Sequence, residues 1–113
     1  MIQPRRQEVW LVDLGMAAKI RPCLVLGIPP LDQDRALVTV IPHTTVTRGS
    51  RFEVQSMVRF LRPGVFDAQN IITIPNAKLM KRLGLLPSKN FSDVIKQVCL
   101  WLGLQEESEN SAR

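Results

Sequence analysis

A chain of 113 residues, 45% hydrophobic and 22% charged, has room for one globular domain and is too apolar to be a disordered segment. No apolar run approaches the roughly 18 residues of a membrane span, and the stretch Val9 to Val12 stops at Asp13, short of the roughly 7–15 residues of a secretory leader; a soluble, cytoplasmic protein is expected. The net charge of +5 hides an asymmetry, because the last nine residues hold Glu106, Glu107 and Glu109 against Arg113, which leaves residues 1–104 with 14 basic and 7 acidic side chains, a net +7. Such a body suits a polyanion, nucleic acid first, beside the plainer reading of solubility charge.

Residues 8–14, EVWLVDL, are β-branched, aromatic and leucine-rich over a strand's length and are closed by Gly15, which predicts a first strand. The run from Arg21 to Ile28 predicts a second, ended by Pro29 and Pro30, and the run from Arg35 to Pro42 a third, after the polar turn Asp32 to Asp34. Ser50 to Val54 alternates, with Phe52 and Val54 on one face. Residues 57–62, MVRFLR, read as a weaker fifth strand. Pro63-Gly64 marks a turn, residues 65–75 read as one further strand, and a helical turn is expected over Lys78 to Leu83, stopped at Gly84. Near the C-terminus Asn90 and Asp93 resemble a capping box, and Phe91, Val94, Ile95, Val98 and Leu102 recur at helical spacing. The expected architecture is mostly β, an α+β domain over residues 1–104 with a barrel-like sheet and a C-terminal amphipathic helix laid on it. An acidic disordered tail over 105–113 would follow.

Cys23 and Cys99 lie in apolar segments and read as small core residues, since one widely spaced pair makes neither a zinc site nor a disulfide framework. His43 is the sole histidine and the carboxylates show no ligand spacing, so neither a metal nor a cofactor is expected.

The runs EVWLVDLG, RPCLVLG, IPHTTVTRGSRFEV and FDAQNIITI occur in an order and spacing that resemble the MazF/PemK toxin family over most of the chain. The shared features are an opening strand, the pair Arg21-Pro22 and the segment Pro42-His43-Thr44-Thr45. The resemblance implies an SH3-like β-barrel, a homodimer, metal-independent cleavage of single-stranded RNA such as mRNA, and inhibition by a cognate acidic antitoxin. It implies attack of the substrate's own 2′-hydroxyl on phosphorus, with charge building on phosphoryl oxygens that preorganised donors must meet. Arg21, planar and permanently charged, fits two of those oxygens at once, and Thr44 adds a hydroxyl. The plain readings are an exposed strand-start arginine and a turn threonine. Arg48 and Arg51 are candidates for following the RNA backbone, with Lys19 and Gln69 as further contacts. Trp10 reads as core before it reads as a base-stacking platform.

The chain departs from the family where a proton must be moved. The loop Met16 to Ile20 is short and carries no glutamate, and Ala68 precedes Gln69 where an aspartate is common. His43 is then a candidate general base, being near neutrality in ordinary pKa and next to Thr44, although neighbours on an extended segment point to opposite sides. Asp67 is the next candidate, one position early and so expected on the opposite face of its strand. Two other functions compete. One is a gyrase poison of the CcdB type, which depends on a terminal Trp-Gly pair, whereas Trp101 and Gly103 here are separated and followed by ten residues. The other is an inactive barrel that only binds nucleic acid.

Overall fold

The computed structural model describes residues 3–16 and 19–104. Seven strands precede one helix: β1 Glu8–Asp13, β2 Ile20–Val25, β3 Leu37–Thr44, β4 Glu53–Gln55, β5 Val65–Asp67, β6 Ile72–Pro75, β7 Leu79–Leu85 and α1 Ser88–Leu102. The strands form one antiparallel sheet in the order β4-β5-β3-β2-β1-β7, with β6 also on β3. The sheet curls into a barrel-like wall without closing. β3 serves two partners along one edge: Leu37 to Val40 pair with β6, and His43 and Thr44 pair with β5.

Period-2 alternation sends the apolar residues of the same strands to two different cores. Val9, Leu24, Ile41 and Phe66 face the helix and pack on its buried Phe91, Val94 and Val98. Their strand neighbours Val12, Cys23, Val25, Val38 and Val40 face the other way and pack with Ile74 and Leu79. Cys23 is fully buried, and burial pushes its thiol up to about 12, so it behaves as a small apolar group. Cys99 is only half-buried on the helix. Trp10 packs at the margin of the second core, with its indole N–H donating to Glu8 Oε1 at 3.0 Å.

The structure differs from the sequence expectations in four places. Residues 65–75 form two strands, because Asp67 turns the chain: its Oδ1 accepts the Gln69 N–H at 3.1 Å and its carbonyl the Asn70 N–H at 3.0 Å. Residues 57–62 form a turn, with the Leu61 N–H on the Val58 carbonyl at 3.3 Å. The segment expected as a helical turn, 78–83, is strand from Leu79 onward, preceded by a 3₁₀ turn over Asn76–Lys78. Its Leu, Met and Lys residues are good helix formers, but the free edge of β1 offers a backbone ladder from Glu8 to Val12, and tertiary pairing prevails. The helix begins at Ser88 after Pro87, without a side-chain cap, and Asp93 instead pairs with Lys89 one turn away at 3.3 Å. Its end is Gly103 in the left-handed region, where the Leu104 N–H closes on the Cys99 carbonyl at 2.9 Å. The expected acidic tail, residues 105–113, lies outside the described residues.

His43 is buried, 3% exposed, with its ring edge-on to Phe66 at 5.1 Å between centroids. Gly64 lies against it: a Cβ there would strike the Thr44 carbonyl and stand 2.8 Å from His43 Cε1. Gly64→Ala should therefore lower stability by about 2 kcal/mol, the scale of overpacking, or a melting temperature roughly 10 °C lower. Gly27→Ala, whose Cβ would meet Thr39 at an ordinary 3.7 Å, is the control and should melt within a degree or two of wild type.

Burial also pushes the His43 pKa below its ordinary value. The unfolded chain then binds this proton more readily than the folded one. The associated stability is full above about pH 6.5, the unfolded value, and is lost as pH falls toward the folded value. Glu8 and Glu53, whose carboxyls are held low, act only in the carboxylate range. Urea midpoints should accordingly fall between pH 6.5 and 5 in wild type and stay level over that window in His43→Leu. Equal slopes in the two proteins would contradict this account.

Candidate active site

Register decides which side chains meet at the end of β3. β2 and β3 pair Cys23 with Pro42, and one further pleat brings Arg21 level with Thr44, on the same face. β5 continues beside Thr44 with Val65, so Asp67, two residues on, shares that face as well. β4 pairs Glu53 directly with Asp67. These four residues, with Arg48 and Asn70, line a cleft of about 430 Å³ at the edge of the second core.

The cleft is held by short-range hydrogen bonds. Thr44 Oγ1 accepts the Val46 N–H at 3.1 Å and its hydroxyl donates to the Val46 carbonyl at 3.3 Å, a pair of contacts that turns the chain sharply out of β3. The Glu53 carboxylate takes the Arg48 N–H at 2.9 Å and the Gly49 N–H at 2.9 Å, fixing the loop that carries Arg48. Those backbone donors, Arg48 first, hold the Glu53 carboxyl below the usual carboxylate range. Arg21 is exposed on the cleft wall, carried by a strand that follows a tight turn in which the Leu14 N–H meets the Lys19 carbonyl at 2.8 Å.

Of the residues read from the sequence, Arg21, Thr44 and Arg48 come together here. His43 turns to the opposite face of β3 and packs on Phe66. Arg51 lies outside the cleft with its guanidinium over the Phe52 ring at 4.6 Å, and Lys19 and Gln69 are exposed in the turns flanking Arg21 and Asp67. Asp67, expected on the far face, lies in the cleft, because its phase is set by the Thr44–Val65 pairing and not by spacing to Gln69. Glu53 went unread, although the alternation that buries Phe52 and Val54 sends it to the other side. Trp101 meets Phe52 edge-on at 5.3 Å and serves to pack the helix end. Among the described residues, no three His, Cys, Asp or Glu side chains group as metal ligands, and no helix is long and apolar enough to cross a membrane.

Among solved structures the chain is similar to an endoribonuclease in complex with its cognate antitoxin from a mycobacterial species. The two share 24% identity at a TM-score of 0.79, over 92% of this chain and 99% of that one. It is also similar to the MazE–MazF complex (Form-II) from Deinococcus radiodurans, with 20% identity, a TM-score of 0.78 and coverage of 93% and 100%. Against the Mycobacterium tuberculosis toxin MazF-mt6 the values are 28% and 0.75, over 88% and 99%. The sequence model of the family described as PemK-like, MazF-like toxin of type II toxin-antitoxin systems matches residues 5–102, a span that runs from ahead of β1 to the end of α1 and includes every cleft residue. The chain belongs to the PemK/MazF-like toxin family and is the toxin component of a type II toxin–antitoxin system.

Proposed function

We propose that this toxin is an endoribonuclease that cleaves single-stranded RNA, mRNA included, in the cytoplasm without a metal, and that the Arg21–Thr44–Asp67 cleft is its active site. The observation that carries the reading is the convergence of a guanidinium, a hydroxyl and a carboxylate on one face at the meeting point of β2, β3 and β5. Arg21 and Thr44 hold the scissile phosphate and meet the charge that grows on its oxygens. Asp67 takes the 2′-hydroxyl proton, as a carboxylate on the cleft wall can, and His43, turned to the other face, does not. The 2′-oxygen bonds to phosphorus, the P–O5′ bond breaks, and the departing oxygen picks up a proton; the products are a 2′,3′-cyclic phosphate and a 5′-hydroxyl.

The family's partners extend the proposal. The chain works as a homodimer, and Leu100, Trp101, Leu102 and Leu104, exposed at the end of the helix, are surface that a second copy would cover. A cognate antitoxin silences it by laying an acidic segment on the same basic surface that draws RNA, the solved relatives with their antitoxins being the precedent.

Incubation with a long single-stranded RNA in EDTA tests the reaction. Wild type should give discrete fragments ending in cyclic phosphate. Arg21→Ala should lose on the order of 100- to 1000-fold in rate, and Arg21→Lys much of that, because the fork geometry goes while the charge stays. Thr44→Ala should cost less, and Asp67→Asn roughly 100-fold or more. A well-folded Arg21→Ala protein that cuts at the wild-type rate would remove Arg21 from the mechanism. The net charge of +7 over residues 1–104 sets a second expectation: RNA affinity should fall steeply between 50 and 200 mM salt, by roughly tenfold or more if only two or three phosphates are contacted. An affinity flat in salt would refute the electrostatic part of the proposal.

A further inference from the structure

The loop between β3 and β4, residues 45–52, is pinned at both ends by side chains of the cleft itself. At its start Thr44 Oγ1 takes the Val46 N–H at 3.1 Å. At its end the Glu53 carboxylate reaches back over the loop, with Oε2 on the Arg48 N–H at 2.9 Å and Oε1 on the Gly49 N–H at 2.9 Å. The hydrogen bonds described over the backbone from Val46 to Gly49 all end on these two side chains. Gly49 makes the second anchor possible, because its φ of +82° lies in the left-handed region and turns two successive N–H groups toward one anion. A concavity of backbone donors of this kind takes a phosphate or a carboxylate, and here the carboxylate is the chain's own. Glu53 also stands opposite Asp67 in the β4–β5 register, where like charges repel, and the two backbone donors offset that repulsion.

We propose that Glu53 is a positioning residue for RNA binding and cleavage: by filling the Arg48–Gly49 concavity it holds the Arg48 guanidinium in the cleft wall with Arg21, and it acts on RNA only through Arg48. The proposal rests on the ribonuclease reading above. A long cationic side chain on an unpinned loop loses its own freedom and the loop's when a phosphate binds. On a loop already ordered by a carboxylate, part of that entropy is lost beforehand. The sign of the effect separates this role from plain electrostatics. A negative charge in the path of a polyanion repels it, so its removal should tighten binding, whereas removal of an anchor should weaken it.

The test is affinity for a single-stranded oligodeoxynucleotide, which lacks the attacking 2′-hydroxyl, titrated in EDTA from about 50 to about 200 mM salt. Wild type is compared with Glu53→Ala, Glu53→Gln, Arg48→Ala and the Arg48→Ala/Glu53→Ala double variant. Glu53→Ala should bind roughly 3- to 10-fold more weakly despite its added net positive charge. Its slope of log affinity against log salt should fall by about 0.7, the share of one phosphate on a single strand. Arg48→Ala should show the same two changes, and in its background the Glu53 substitution should weaken binding no further. Glu53→Gln has the charge of Glu53→Ala but keeps an acceptor oxygen, so it should recover part of the affinity and melt near wild type. On long single-stranded RNA the loss should appear in KM more than in kcat. Tighter or unchanged binding in Glu53→Ala overturns the proposal and assigns the concavity to phosphate. It is overturned equally by a Glu53→Gln protein no better than Glu53→Ala, or by a loss of the same size with and without Arg48. A wild type that shows these couplings on the oligodeoxynucleotide yet cuts no RNA refutes the ribonuclease reading and upholds the Glu53–Arg48 role in binding.

Discussion

β3 is the strand on which every other placement depends, because three other strands pair with it along its length. β2 occupies one edge, and β6 and β5 divide the other. A strand locked this way has one register, and in a sheet register is a choice of face: a slip of one residue would exchange Thr44 with His43 and carry Val38 and Val40 out of the second core. The buried valines and Ile41 thus set the register, and the register sets which hydroxyl looks into the cleft. Stability and site geometry are enforced by the same hydrogen bonds.

Within the cleft, two carboxylates on neighbouring strands oppose the binding of a polyanion, since each repels phosphate. Their surroundings divide the work. Glu53 is engaged by two backbone N–H groups of the Arg48–Gly49 turn, and its charge serves to shape that loop. Asp67 accepts the Gln69 N–H on Oδ1 and lines the cleft beside Thr44, the position from which the proposed mechanism draws its base. In the proposed phosphate-binding mode the guanidinium groups of Arg21 and Arg48 supply the attraction. A clamp built from arginine tolerates a neighbouring carboxylate better than one built from lysine, because its proton cannot be withdrawn and its donors are fixed in a plane.

The sequence made some elements legible and hid others for identifiable reasons. β1, β2, β3 and the helix each carry their own periodic signal, strong enough to be read locally, and the family resemblance marked Arg21 and Thr44 directly. β7 carries no such signal. Its exposed face of Met80, Lys81 and Arg82 reads as helix, and only the presence of an unfilled edge on β1 makes it strand. The break at Asp67 depends on two local bonds, one to its side chain and one to its carbonyl, which a run of β-branched residues conceals. Glu53 and Asp67 are invisible as a pair, since they lie fourteen residues apart and meet only because β4 and β5 are in register. Long-range pairing, absent from any window of sequence, is what composes the site.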